Sequence, residues 1–291
     1  MQQDRVKLAI CVCTVNRPEV LRRCLASIVA GRERPDEILV SDDSVDGSES
    51  RAVCEQFPGV RYFVGPRRGL CANRNSVIRV ASAKFVSLLD DDAVVSMEFV
   101  HEAKTLAATI GDDIILTGAI VEDGRTIVAG NPSFLGYFTK DVNGNYRNVN
   151  LNCNVFPREA FRRAAFDEKI GYGYEDMDLC SRLLSLGFQI RFSAALTNMH
   201  MPPPKPVGEL RTRAAQAQRA RFYTSVKRYM LWEKDWRRLV AFAIVAPVHR
   251  ALHALKRRNI RDLPNCVLDM VFALTAAFSQ RSLARQPRTP R

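Results

Sequence analysis

The strongest constraint on this chain is an alternation in its first hundred residues, where short apolar runs are each followed by a stretch with helical spacing. Leu8 to Val15 (LAICVCTV) is an apolar run, and Pro18 to Val29 then repeats apolar residues at Val20, Leu21, Cys24, Leu25 and Ile28. Glu37 to Ser41, Val60 to Val64 and Phe85 to Leu89 read as further strands, with a helix over Ala72 to Ala83. Short apolar strands separated by helices imply a mostly parallel sheet covered on both faces. The expected fold is therefore α/β. In such sheets ligands bind beyond the carboxyl ends of the strands, where Thr14-Val15-Asn16-Arg17, Asp42-Asp43-Ser44 and Asp90-Asp91-Asp92 all fall.

The rest of the chain divides by charge. Residues 1 to 205 hold 25 Lys and Arg against 26 Asp and Glu, whereas residues 206 to 291 hold 18 against 5, so nearly all of the net charge of +12 belongs to the tail. The division falls at Pro202-Pro203-Pro204-Lys205-Pro206, a run that continues neither a helix nor a central strand. Two units are expected: 1–205, a ligand-binding body, and 206–291, a basic amphipathic helical extension. The eight cysteines are scattered without a C-x-x-C pair, which disfavours zinc ribbons and disulfide frameworks and suggests a reducing compartment. Met1 to Lys7 is polar and no cleavage site follows the first apolar run, so secretion is not expected. The longest apolar stretches, Leu239 to Val248 and Val267 to Phe278, the second interrupted by Asp269, fall short of the ~20 residues of a membrane span.

Crowded carboxylates repel one another unless a cation neutralises them, which makes Asp90-Asp91-Asp92 a candidate site for a hard divalent ion as well as a candidate acidic turn. A second acidic cluster, Glu175, Asp176 and Asp178, opens a helix whose buried stripe is Leu179, Leu183 and Leu186. Acids at that position also complement the helix dipole, but the preceding Gly171-Tyr172-Gly173 lets backbone approach a ligand closely. No G-x-G-x-x-G or G-x-x-x-x-G-K-[ST] loop occurs, which argues against a dinucleotide dehydrogenase and a P-loop NTPase.

Taken in order, LAICVCTVNR, ILVSDDSVDGS, GLCANRN, FVSLLDDD and GYEDMDLCSR resemble the successive motifs of family-2 glycosyltransferases of the GT-A fold, across about the first 200 residues. The resemblance implies a Rossmann-like GT-A domain with a C-terminal helical extension. It also implies a nucleoside-diphosphate sugar donor with a UDP-sugar favoured, a divalent metal (Mn²⁺ or Mg²⁺), and transfer with inversion. By position in the motifs, Thr14 and Asp43 match residues that hold the base and ribose, with Asn16 and Arg17 in the same donor-binding stretch. Arg74 matches a basic residue near the nucleotide. Asp90 and Asp91 match positions near ribose and phosphate, Asp92 the metal ligand, and His200 a histidine that approaches metal or diphosphate. Asp176 matches the general base, Glu175 a group orienting hydroxyls, and Arg182 follows six residues on. Three consecutive aspartates replace the usual D-x-D, so the ligand register can slip by one.

Two other functions compete. A sugar-phosphate nucleotidyltransferase would present a Gly-rich basic loop after the first strand, and C-V-C-T-V-N-R-P has no glycine. A nucleic-acid-binding protein would stack its arginines beside exposed aromatics; here they interleave with apolar stretches, and no nucleic acid partner is expected. The segment Glu122 to Asn154, with Asn131, Pro132, Phe134, Tyr137, Phe138, Tyr146, Asn152 and Asn154, is expected to shape an acceptor pocket. In the tail Val248, Leu252 and Leu255 share one helical face and Arg250, His253, Lys256 and Arg257 occupy others, as in helices that lie in a membrane interface. The expected setting is the cytoplasm, peripheral on the membrane's cytoplasmic face, with a glycan or lipid-linked glycan as acceptor in surface polysaccharide or glycolipid synthesis. Packing of the two segments on the body is the competing reading.

Overall fold

The computed structural model describes residues 6–139, 144–204 and 206–285. Lys205 of the proline run, residues 140–143 of the segment expected to shape an acceptor pocket and the last six residues of the extension lie outside them. The chain begins with β1 (Leu8–Thr14), α1 (Pro18–Val29), β2 (Glu37–Asp42), α2 (Ser48–Glu55), β3 (Val60–Val64), α3 (Leu70–Val80), β4 (Phe85–Asp90), β5 (Ala93–Val95) and α4 (Phe99–Ala107). There follow β6 (Ile114–Glu122), β7 (Arg125–Ile127), β8 (Asn131–Pro132), β9 (Phe138–Thr139), β10 (Asn154–Pro157), α5 (Arg158–Arg163), α6 (Glu175–Ser185) and β11 (Gln189–His200). The tail contains α7 (Val207–Lys227), a π-helical turn over Arg228–Trp232, α8 (Trp236–Lys256), a short 3₁₀ turn over Ile260–Asp262 and α9 (Leu263–Arg285).

Strands β3, β2, β1 and β4 lie side by side and parallel, and β10 follows antiparallel between β4 and β6. Strand β11 runs parallel to β6 and carries β5 antiparallel on its far side. The alternating side chains of β1 divide the core in two. Leu8, Ile10 and Val12 face Leu21, Cys24, Leu25 and Ile28 of α1 together with Phe99 and Ala103 of α4. Ala9, Cys11 and Cys13 face α3, α6 and residues of the C-terminal helices, including Phe222, Tyr229, Phe242 and Ala273. Residues on both sides of the proline run thus share one core. The eight cysteines are all free and buried.

Helix α3 begins earlier than its apolar spacing suggests. Gly69 adopts a left-handed φ of 94° and starts the helix at Leu70, and Ala81 turns extended and ends it. In the tail, Arg250 is buried rather than solvent-facing: it pairs with Asp262 at 2.5 Å and Asp269 at 2.7 Å, pinning α8 to α9. Counting apolar runs also understates these helices. Trp236–Lys256 and Leu263–Gln280 are each long and apolar enough to cross a membrane by length and composition, with 28% and 22% of those windows buried inside the protein.

Candidate active site

Strand ends assemble the site. Thr14 closes β1, and its hydroxyl donates to Asp91 at 2.7 Å. Arg17 pairs with Asp91 at 2.9 Å and with Asp92 at 3.2 Å. Asp91 is wholly buried, and burial pushes its carboxyl up to about 7 against the pull of Arg17 and the Thr14 hydroxyl. Asn16, at φ 53°, bonds Ser44 through its backbone N–H and stands exposed at the rim.

Past β2, Asp43 accepts the backbone N–H groups of Arg67 and Gly69 at 2.8 and 3.1 Å. This approach requires Gly65: a Cβ there would lie 2.4 Å from the Asp43 carboxylate and 2.9 Å from the Asp42 carbonyl. Arg74, buried in α3, donates at 2.7 Å to Asp90 and at 2.7 Å to Glu175, so it ties the strand-end acids to the start of α6. The second Glu175 oxygen is buried without a hydrogen-bond partner among the described residues.

Antiparallel pairing of His200 with Ala93 brings the end of β11 beside Asp92. His200 Nε2 lies 3.3 Å from Asp92 Oδ1, and Nδ1 lies 2.9 Å from Glu122. The Asp92 hydrogen bond raises His200 to about 9, despite burial. Among the described residues no three His, Cys, Asp or Glu side chains cluster closely enough to hold an ion alone. Asp92 and His200 nonetheless present one carboxylate oxygen and, once a bound ion displaces its proton, one imidazole nitrogen at a shared edge. That donor set fits an Mg²⁺ or Mn²⁺ ion whose remaining positions come from substrate phosphates and water.

The three acids of α6 have separate environments. Gly173 at φ 77° and Tyr174 at φ 64° turn the chain sharply into the helix. Glu175 meets Arg74, and Asp178 meets Lys227 at 2.7 Å, in a buried seam that also holds Asp167. Asp176, half-buried, accepts from Asn148 at 2.7 Å and from the Met177 N–H at 2.8 Å. Burial and the neighbouring Glu175 charge push Asp176 up to about 6. Arg182 lies a turn and a half away, its guanidinium over the Trp232 ring.

A cavity of ≈ 590 Å³ connects these strand ends, with Thr14, Arg17, Asp43, Asp90, Asp92 and His200 on its wall. Asn16, Asp91, Arg74, Glu175 and Asp176 are not on that wall; Asp91, Arg74 and Glu175 lie buried behind it. Several contributors carry no motif in the sequence. Asn152 lines the cavity and its side chain accepts the Asp90 N–H at 2.8 Å, while Asn148 supports Asp176. Tyr172, Arg213 and Gln216 form the side contributed by the Gly-Tyr-Gly turn and by α7. Asn154, expected in an acceptor pocket, is fully buried and pairs its carboxamide with both backbone groups of Leu88, completing the sheet at β10.

The segment around β8 and β9 is held by the tail. Arg228 donates to the carbonyls of Pro132 and Ser133, the Tyr229 hydroxyl to Phe134 at 2.7 Å, and Arg221 to Leu135. Phe138 in turn stacks on Tyr174, with centroids 5.1 Å apart.

The fold and the paired acidic motifs define a GT-A glycosyltransferase-like domain, and the family model "Glycosyl transferase family 2" matches residues 9–169. The chain belongs to glycosyl transferase family 2. It is 32% identical over 92 residues, 30% of its length, to the GalNAc(5)-diNAcBac-PP-undecaprenol beta-1,3-glucosyltransferase of Campylobacter jejuni, covering 29% of that protein. It is 26% identical over 244 residues, 68% of its length, to the chondroitin synthase of Pasteurella multocida, covering 25% of it. The chain thus spans under a third of each of these curated relatives. Its fold also matches the mannosyltransferase PcManGT of Pyrobaculum calidifontis, solved with GDP-Man and Mn²⁺, at a TM-score of 0.59 and 17% identity over 94% of this chain and 76% of that one.

Proposed function

We propose that this protein is an inverting glycosyltransferase that moves a sugar from a nucleoside-diphosphate donor, a UDP-sugar being favoured, to a hydroxyl of a glycan or lipid-linked glycan. The single observation that carries the reading is the division of labour among the acids at the cavity. Asp90 is held by Arg74 and the buried Asp91 by Arg17 and Thr14, while Asp92, which shares Arg17 with Asp91, stands beside His200 on the cavity wall, which favours Asp92 as the metal-binding register. A divalent ion bound there would supply Lewis-acid stabilisation of the charge on the departing diphosphate.

The protein's own groups supply the rest. Asp43 and Thr14 bind the nucleoside end, with Asn16 and Arg17 at the rim beside them. Arg74 holds Asp90 and Glu175 in place, and Glu175, buried behind the wall, adds negative charge beside Asp176. Asp176, with its carboxyl raised to about 6, is a base matched to neutral pH that takes the acceptor hydroxyl proton as the new bond forms. Lipid-linked or polysaccharide acceptors agree with the activities for which the two relatives are named.

The membrane setting is also part of this proposal. Helices α8 and α9 expose Val240, Ile244, Leu252, Val267, Leu268 and Val271, with Arg237, Arg238, Lys256 and Arg257 beside them. Exposed apolar side chains rimmed by cations suit an anionic bilayer surface on the cytoplasmic side.

The test is transfer followed by NMR of the product. An inverted anomeric centre supports the reading, and retention overturns it. Asp176→Asn should lower turnover by about 10²–10⁴ with donor affinity close to wild type. For the membrane, salt-sensitive sedimentation with anionic but not neutral liposomes is expected, and equal partitioning to both would contradict it.

A further inference from the structure

The basic extension enters the donor cavity itself, through one helical turn of α7. The glycines of the Gly-Tyr-Gly turn allow this approach. A Cβ at Gly173 would meet the Ala217 Cβ at 3.3 Å in a left-handed backbone that disfavours side chains, and one at Gly171 would lie 3.9 Å from the Gln216 side chain. The turn therefore packs against the Arg213–Ala217 face of α7. The Arg213 guanidinium lies over the Tyr172 ring at 4.7 Å, and both residues, with Gln216, line the same cavity as Asp43 and Asp92.

The commitments of the other cations facing that space single out Arg213. Arg17 is shared between Asp91 and Asp92, His200 between Asp92 and Glu122, and Arg67 donates to the Ser44 and Val45 carbonyls at the Asp43 side. Arg213 pairs instead with Glu209, one turn back on its own helix and 42% exposed. A partly exposed i, i+4 pair contributes only about 0.3–0.5 kcal/mol, so the guanidinium can change partner at small cost. A nucleoside diphosphate entering a cavity walled by Asp43, Asp90 and Asp92 brings further negative charge, and a guanidinium fork is suited to phosphate oxygens.

We infer that Arg213, steadied by Tyr172 and with Gln216 beside it, binds the diphosphate of the donor, so that the C-terminal extension is part of the nucleotide site. The inference rests on the nucleotide-sugar reading above. Gln216 stands three residues on, on the same side of the helix, and offers a second polar contact. The turn that leads into the acidic helix and the extension then close on one ligand together.

The experiment is calorimetric titration of the full chain with Mn²⁺ present, using UDP, dTDP and GDP, each beside its nucleoside. With the tightest diphosphate, Arg213→Ala should weaken binding about tenfold or more, the expected loss of a charge-assisted hydrogen bond, while nucleoside affinity stays level. Arg213→Lys should recover part of the loss, and Glu209→Gln should bind as tightly as wild type or more tightly. Unchanged diphosphate affinity in Arg213→Ala overturns the inference. An equal loss for diphosphate and nucleoside also overturns it, because Arg213 would then only shape the wall. A wild-type chain that binds none of the three diphosphates instead sinks the underlying nucleotide-sugar reading.

Discussion

Asn148 donates a 2.7 Å hydrogen bond to the Asp176 carboxylate and, together with the Arg74 charge, opposes the upward push of burial on that acid. The bond favours the charged form, and removing it should raise the Asp176 pKa further. A base works only when deprotonated, so wild-type turnover should fall as pH drops through about 6. In Asn148→Ala the acidic limb should move to higher pH, with turnover at pH 8 closer to wild type than turnover at pH 6. The measurement is kcat against pH; an unmoved limb would mean that another group sets it.

Arg74 is the buried cation between Asp90 and Glu175, at 2.7 Å from each. Arg74→Met keeps the volume but leaves both carboxylates without their cation. Stability should drop by about 3–5 kcal/mol, as expected when one partner of a buried ion pair is removed. Urea unfolding checks this, and a loss below about 1 kcal/mol, the range of exposed pairs, would contradict the assigned burial.

The β8–β9 segment is tethered by Arg228 and Tyr229 and reaches Tyr174 through Phe138. Arg228→Lys keeps the charge but loses the forked donation to Pro132 and Ser133. Acceptor KM should rise about threefold to tenfold, roughly one modest hydrogen bond, while donor affinity holds. A change in donor affinity without one in acceptor KM would show that the segment serves the nucleotide instead.

The parallel sheet is legible in the sequence because fully buried strands such as Leu8–Thr14 read as unbroken apolar runs, and the helix Pro18–Val29 has the expected bounds. The three strand-end clusters are legible because their polar residues follow those runs directly. What sequence does not carry is which acid faces what. Glu175, Asp176 and Asp178 are near-neighbours in one turn, yet they meet Arg74, Asn148 and Lys227 from three distant parts of the chain. Arg250 reads as a surface cation until the turn at Ile260–Asp262 folds Asp262 back onto it. Asn154 reads as a sugar-binding amide until its side chain is seen completing the pairing of Leu88. Tyr172 alone among the α7-side residues carries a hint, since it stands between two glycines.

The most direct test of the central claim is calorimetric binding of UDP, dTDP and GDP to wild type and Asp92→Ala, with and without Mn²⁺. Wild type should bind one of them tightly only when Mn²⁺ is present, and Asp92→Ala should lose that metal dependence while its thermal unfolding stays close to wild type. Equal Mn²⁺-dependent binding by wild type and Asp92→Ala, or no binding of any diphosphate by wild type, would contradict the account.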